Sequence, residues 1–220
     1  MILEVKTAAR TLARKAGLIP ALHRFRMLWH TSDYEDKFSA ALLAAVRPSD
    51  TVWDIGANVG YYTEELSRRA SHVVAFEPVL DNFLQIEARG LGNVTCRKMA
   101  LGDRKDEVRI SKAGTTSSLV GGAVGDDLEY EVVMVMPGDA LVDLPRPDVV
   151  KIDVEGFELE VTQGLNATLK SVRAVYMEVH FSVLASRGLQ QQPALIVREL
   201  KGLGFSKVNW IDASHIEALR

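Results

Sequence analysis

Val52-Trp53-Asp54-Ile55-Gly56-Ala57-Asn58-Val59-Gly60 is an apolar, β-rich run that breaks into glycines and then resumes with helical spacing. The pattern predicts a strand, a tight turn and a helix. Gly56 admits backbone conformations that a side chain forbids, and Gly60 lets a neighbour pack on the first helical turn, so a ligand is expected against bare backbone here. A purely structural strand-to-helix turn, common in α/β proteins, would account for the same residues. The dinucleotide fingerprint requires glycine at its first, third and sixth positions, which here hold Gly56, Asn58 and Tyr61. That disfavours a nicotinamide dehydrogenase.

The chain has 220 residues, of which 47% are apolar, enough for one sizeable core. Its net charge of −3 gives no general case for a nucleic-acid partner. The single cysteine, Cys96, cannot form an internal disulfide. Neither a secretory leader nor an apolar run of about 20 residues is evident, so the expectation is a cytoplasmic protein. Charge is distributed unevenly: residues 1–30 carry Lys6, Arg10, Arg14, Lys15, Arg24 and Arg26 against Glu4 alone. Two readings of this arm compete, a helical lid on the catalytic domain and a basic helix for an anionic membrane surface. The lid is favoured, because a basic helical face is ordinarily just solvated. A further helix is expected over 33–46, stopped before Pro48.

Beyond the glycine turn, His72 to Phe76 reads as a strand that ends in Glu77-Pro78. Glu77 lies about 20 residues past the turn, where an acid can accept hydrogen bonds from both ribose hydroxyls of a bound adenosine. A helix is expected over 79–89 and a strand over 93–100. The turn Leu101-Gly102-Asp103 follows, against which an adenine ring would rest. Val108 to Ser111 and Tyr130 to Met136 have strand composition. Between them, Thr115-Thr116-Ser117-Ser118 reads equally as a substrate loop or a linker.

Two later strands carry the chemistry. Over 148–154, period-two geometry puts Lys151 and Asp153 on one face and Val150 and Ile152 on the other, with Glu155 at the end. A helix is expected from Gly156 through Gly164. Over 175–180, Tyr176, Glu178 and His180 share a face. If the strands are parallel neighbours, Asp153 and Glu155 meet Glu178 and His180 at the carboxyl edge, where open α/β sheets bind ligands. The bland alternative pairs Lys151 with an acid and leaves His180 a satisfied strand-end histidine. Clustered like charges need a cation or a shared proton to offset them, which favours chemistry. An amphipathic helix over 191–203 and a terminal hairpin complete the chain.

Asp54-Ile55-Gly56-Ala57-Asn58-Val59-Gly60, Phe76-Glu77-Pro78, Ala100-Leu101-Gly102-Asp103, Ser117-Ser118-Leu119 and Lys151-Ile152-Asp153-Val154-Glu155-Gly156-Phe157-Glu158 together resemble the FkbM family of methyltransferases. The Lys-Ile-Asp-Val-Glu-Gly run is the most specific piece. The resemblance covers roughly residues 50–180 and implies an α/β, Rossmann-like class I methyltransferase fold. Such a fold has a mostly parallel seven-stranded sheet with helices on both faces, here over 48–220, with residues 1–47 as an N-terminal helical extension. It implies S-adenosylmethionine as donor, with Asp54, Gly56, Asn58, Gly60, Glu77, Ala100, Leu101 and Asp153 as cofactor-binding candidates. The implied acceptor is a hydroxyl of a sugar, glycolipid or polyketide-type natural product.

An alcohol is a poor nucleophile near neutral pH, so transfer calls for a base or a cation that helps remove the proton. His180 is the candidate base, with Asp153 and Glu155 orienting it. Alternatively Asp153 and Glu178 could hold Mg²⁺ against the substrate oxygen. Nucleic-acid amino-group methylation is disfavoured, because Asp153-Val154-Glu155-Gly156 stands where such enzymes carry Asn/Asp-Pro-Pro-aromatic. A non-catalytic cofactor-binding module, its acidic edge structural, is the alternative from another class.

Overall fold

A computed structural model describes residues 33–111 and 130–220. The expectations for the basic arm and for the Thr115–Ser118 loop lie outside the described residues. The chain divides into two units, Met1–Lys37 and Phe38–Arg220, and the second carries the sheet.

In chain order the elements are α1 (Asp33–Ala45), β1 (Thr51–Ile55), α2 (Tyr61–Ser67), β2 (His72–Phe76), α3 (Leu80–Glu87), β3 (Val94–Arg97), β4 (Ala100–Leu101), β5 (Asp106–Ser111), β6 (Tyr130–Met136), β7 (Val149–Ile152), α4 (Glu158–Gly164), β8 (Ala174–Glu178), α5 (Phe181–Ser186), α6 (Gln192–Gly202), β9 (Lys207–Trp210) and β10 (His215–Leu219). Seven strands form one sheet in the order β3-β2-β1-β7-β8-β10-β9. The first five are parallel, and β10 runs antiparallel to both its neighbours. This is the mostly parallel seven-stranded sheet that the sequence implied.

Alternation along the strands sorts side chains onto two buried faces, as a sheet covered on both sides requires. Trp53, Ile55, Val74, Phe76, Val150, Ile152, Val175 and Met177 face one core with Leu159, Val161 and Leu165 of α4 and Ile196 and Leu200 of α6. Val52, Val73, Val149, Ala174 and Tyr176 face the other, closed by Phe38 and Leu42 of α1 and Leu66 of α2. Lys151 falls on this second face by period, and it is 1% exposed. Its Nζ lies 3.1 Å from Asp54 Oδ1 and 3.4 Å from Asp153 Oδ2, donates to the Gly56 carbonyl at 3.1 Å and sits 5.1 Å from the centre of the Tyr62 ring.

The structure corrects several expectations. The strand expected over 93–100 is two, because a turn closed by Met99 N–H to the Arg97 carbonyl takes the chain out of the main sheet. Ala100 and Leu101 join instead a second, three-stranded sheet, β4-β6-β5. Helix α4 begins at Glu158 rather than Gly156, because Glu155 (φ 53°) and Gly156 (φ 90°) are left-handed and cannot continue a right-handed helix. Strand β8 ends at Glu178, and His180 precedes α5, a helix the sequence reading did not anticipate. The glycines of the first turn are also required by internal packing. A Cβ on Gly56 (φ 78°) would stand 1.8 Å from the Asp153 carbonyl oxygen, and one on Gly60 (φ 84°) 2.8 Å from Ile86 Cγ1.

Two stability outcomes follow from this geometry. Gly56→Ala should cost at least ~3 kcal/mol, since strain and a backbone collision combine. Gly90→Ala, also left-handed (φ 61°) but with nothing within 4 Å, should cost only about 1 kcal/mol. Urea unfolding of the two variants checks the contrast, and equal losses would refute it. Lys151→Met should destabilise by about 3–5 kcal/mol, because it leaves the fully buried Asp54 carboxylate without its cation; a loss below 1 kcal/mol in the same assay would show that this ion pair adds little to stability.

Candidate active site

The carboxyl ends of β1, β2 and β7 open into a cleft lined by Gly56 and Asn58 from the first turn, Phe76 and Glu77 after β2, and Asp153 and Glu155 after β7. Ala100, Leu101 and Ile110 of the small sheet supply an apolar wall. Of the cofactor candidates, Gly56, Asn58, Glu77, Ala100, Leu101 and Asp153 therefore border one cavity. Asp54 and Gly60 do not: Asp54 is fully buried, accepting from Thr63 Oγ1 at 2.6 Å beside Lys151, and Gly60 backs onto α3.

Glu77 is 4% exposed. Its Oε2 accepts the Asn58 N–H at 2.8 Å, and Oε1 accepts the Val79 N–H at 2.9 Å and Asn82 Nδ2 at 3.4 Å. Burial pushes its carboxyl up to about 7, against these stabilising hydrogen bonds. Backbone donors fix the carboxylate in the cleft, and each oxygen retains acceptor capacity for a ligand.

Strands β7 and β8 are parallel neighbours, with Lys151 opposite Tyr176 and Ile152 opposite Met177. That register brings the four predicted residues together just past the strand ends. His180 Nε2 lies 3.4 Å from Glu155 Oε2, 3.6 Å from Asp153 Oδ1 and 3.8 Å from Glu178 Oε1. Nδ1 lies 2.8 Å from Oε1 of Glu158, a fully buried carboxylate that also accepts the Gly156 N–H at 2.8 Å. Glu158 thereby fixes which imidazole nitrogen faces the other acids. Burial works to lower the His180 pKa, but the Glu158 hydrogen bond and the Asp153 and Glu155 charges push it up to about 9. Burial raises Asp153 and Glu155, partly offset by Lys151 and His180 respectively. Glu178 is instead lowered, first by the His215 imidazole 3.7 Å away, which in turn holds Asp212 through Nδ1 at 2.8 Å.

The donor set does not suit the expected Mg²⁺ pair. Among the described residues, the atoms close enough to share an ion come from Asp153, Glu155 and His180, and Glu178 is not among them. An imidazole is a poor partner for a hard, oxygen-seeking cation.

Glu158 and His215 are the residues of this cluster that sequence reasoning passed over. Glu158 had a signal: it shares the buried helical stripe with Val161 and Leu165, where an acid requires a partner. His215 had none, since only the antiparallel return of β10 places it opposite Glu178.

Comparison with known proteins places the chain among methyltransferases. The methyltransferase FkbM domain profile matches residues 54–207. The chain is 31% identical over 169 residues to the hexuronic acid methyltransferase AglP of Haloferax volcanii, covering 71% of this chain and 67% of that protein. It is also 31% identical over 135 residues to ribosomal RNA small subunit methyltransferase A of Moorella thermoacetica, covering 60% of this chain and 45% of that one. Among solved structures, methyltransferase FkbM from Methylobacillus flagellatus KT superposes with a TM-score of 0.53 at 14% identity, over 80% of this chain. The chain spans 45% of that protein's length. Among the described residues, no helix is long and apolar enough to cross a membrane. With the profile aligned from the first turn through the acidic edge, this chain belongs to the FkbM family of S-adenosylmethionine-dependent methyltransferases.

Proposed function

We propose that the chain is an O-methyltransferase acting on a hydroxyl of a sugar, glycolipid or polyketide-type molecule, with a sugar the best-supported acceptor. The observation that carries the reading is His180, held through Nδ1 by Glu158 with Nε2 facing Asp153 and Glu155, which line the same cleft as Glu77. The hexuronic acid relative supports a sugar. The ribosomal RNA relative raises a nucleic-acid acceptor, against which stand the Asp153-Val154-Glu155-Gly156 sequence and the net charge of −3.

The residues present fit the cofactor. Glu77 would take the ribose hydroxyls, the backbone of Gly56 and Asn58 would border the amino-acid part, and Leu101 and Ile110 offer apolar surface for adenine. S-adenosylmethionine supplies a methyl group on a sulfonium, open to displacement by an oxygen that is losing its proton. His180 in its neutral form takes that proton at Nε2. Glu158, Asp153 and Glu155 then stabilise the imidazolium, as a carboxylate does for the histidine of a hydrolase triad. The same acids raise its pKa, so a strong base is present in a small neutral fraction at pH 7.

Two outcomes test these roles. Glu77→Ala should weaken S-adenosylmethionine binding by about 1–3 kcal/mol. In the parent, affinity should rise with pH through about 7, because the ionised carboxylate is the better acceptor and burial favours the protonated form at lower pH; calorimetry at pH 6 and pH 8 giving equal affinities in parent and variant would remove Glu77 from the cofactor site. His180→Ala should lower kcat by roughly 10²–10⁴-fold with cofactor affinity unchanged. The parent pH–rate profile should climb toward about 9, and Glu158→Gln, which removes a charge that raises His180, should move the midpoint to lower pH. A profile unmoved by Glu158→Gln would assign the base elsewhere.

A further inference from the structure

His180 turns its two ring nitrogens to different partners. Nδ1 lies 2.8 Å from Oε1 of the fully buried Glu158, so the neutral ring donates from Nδ1 and directs the lone pair of Nε2 the other way. That lone pair meets carboxylate oxygens, Glu155 Oε2 at 3.4 Å and Asp153 Oδ1 at 3.6 Å. A lone pair and two anionic acceptors repel one another unless a positive centre lies between them. A proton is one such centre, but a charge-assisted N–H···O bond closes to about 2.7–2.9 Å, shorter than either spacing. Ligand atoms held at about 2.0–2.1 Å from a tetrahedral cation stand about 3.3–3.5 Å apart, close to both. Among the described residues, one oxygen from each of these acids and a nitrogen of His180 all lie within 4.8 Å of one another.

We propose that Asp153, Glu155 and His180 form a binding site for a borderline divalent cation such as Zn²⁺, and that a cation on Nε2 stops methyl transfer. The site stands on its own geometry. The inhibition rests on the reading of His180 as the base, since a nitrogen that ligates a metal has no lone pair left for the acceptor's proton. One imidazole and two carboxylates suit Zn²⁺ and its first-row neighbours, and the two carboxylates balance the charge of the dication. Both acids line the cleft, at 26% and 21% side-chain exposure, which leaves a path for entry. Glu158 meets a further requirement, because a metal-bound histidine ordinarily donates its other ring N–H to a carboxylate that orients it and strengthens it as a ligand. The second oxygen of Glu158 is buried without a hydrogen-bond partner, so this carboxylate depends on the imidazole and gains from positive charge drawn onto the ring.

The test uses the full chain, stripped with EDTA and then freed of chelator, with Co²⁺ as a coloured probe and Zn²⁺ in calorimetry. One equivalent of Co²⁺ should bind and give a visible absorption band, which Zn²⁺ should displace and Mg²⁺ should not. His180→Ala and Glu155→Gln should each abolish the band and Glu178→Gln should keep it. Glu158→Gln should weaken Zn²⁺ binding by about 10–100-fold, as loss of a carboxylate behind a ligating histidine does. S-adenosylmethionine affinity within about two-fold of the parent checks folding in each variant. In turnover of methyl β-D-glucopyranoside or methyl β-D-glucuronide, Zn²⁺ should inhibit in step with occupation of the site, and EDTA should restore the rate. No band in the parent, or Zn²⁺ affinity unchanged in both His180→Ala and Glu155→Gln, would overturn the site. Binding as expected with turnover unaffected would overturn the inhibition and remove His180 as the base, with the site intact. Turnover that requires Zn²⁺ would overturn the inhibition by making the cation the activator. A parent that methylates neither probe would count against the sugar reading, and the Co²⁺ band would still decide the site.

Discussion

A single buried ammonium holds the two halves of this site together. Lys151 lies on the central strand β7, where its Nζ reaches Asp54 on the neighbouring strand, Asp153 at its own strand end and the carbonyl of Gly56 in the first turn. Burial works to lower its pKa, but the two carboxylates outweigh that and hold it above the ordinary lysine range. Removing one partner from such a group strands the other without water, so the ammonium and its acids form an obligate set. The same crossing of β1 and β7 explains why Gly56 must lack a side chain: the Asp153 carbonyl occupies the place a Cβ would take. The first turn and the acidic edge are therefore fixed relative to each other by one charge and one close backbone contact.

Around His180 the charges alternate in space. Asp212 holds His215, His215 faces Glu178, Glu178 faces His180, and His180 is held by Glu158. Each acid adjoins a group that carries positive charge when protonated, which offsets the repulsion that clustered carboxylates would otherwise suffer. Phe38 of α1 stacks on His215, with ring centroids 4.3 Å apart, and shields the far end of this chain from water. The order of charges runs from the antiparallel hairpin inward to the cleft, so the terminal strands contribute to the electrostatics of the site as well as to the closure of the sheet.

The fold was largely legible because its signals are local. Period-two alternation marks the central strands, the glycine run marks the first turn, and counting by two from Lys151 and Tyr176 places Asp153, Glu178 and His180 at one edge. What the sequence withheld depends on tertiary contact. The departure of Ala100 and Leu101 into a second sheet rests on pairing with β6, more than 30 residues away. Helix α5 is six residues long with no side-chain cap, too short for a periodic pattern to declare itself. The sequence posed ion pairing of Lys151 as an alternative to chemistry at this edge. In the structure Lys151 is indeed paired and His180 is indeed satisfied by Glu158, yet that satisfied arrangement is also what an oriented base requires.

Among the described residues, the non-glycine positions with left-handed backbone are Asn58 and Glu155, and both line the cleft. Asparagine visits that region readily, whereas glutamate pays about 1–2 kcal/mol to stay there. The conformation persists because its surroundings determine it more than once. The next residue, Gly156, donates its N–H to Glu158 and accepts from Arg187 Nη1 through its carbonyl. A Cβ at Gly156 would meet Val183 Cγ1 at 2.7 Å, so α5 closes against the turn. Glu158 thus anchors both the turn that aims Glu155 into the cleft and the imidazole that Glu155 faces. Strained backbone persists where surrounding structure over-determines it, typically at functional sites. Here a single buried carboxylate joins that strain to the orientation of His180, which makes the turn and the proposed base one mechanical unit.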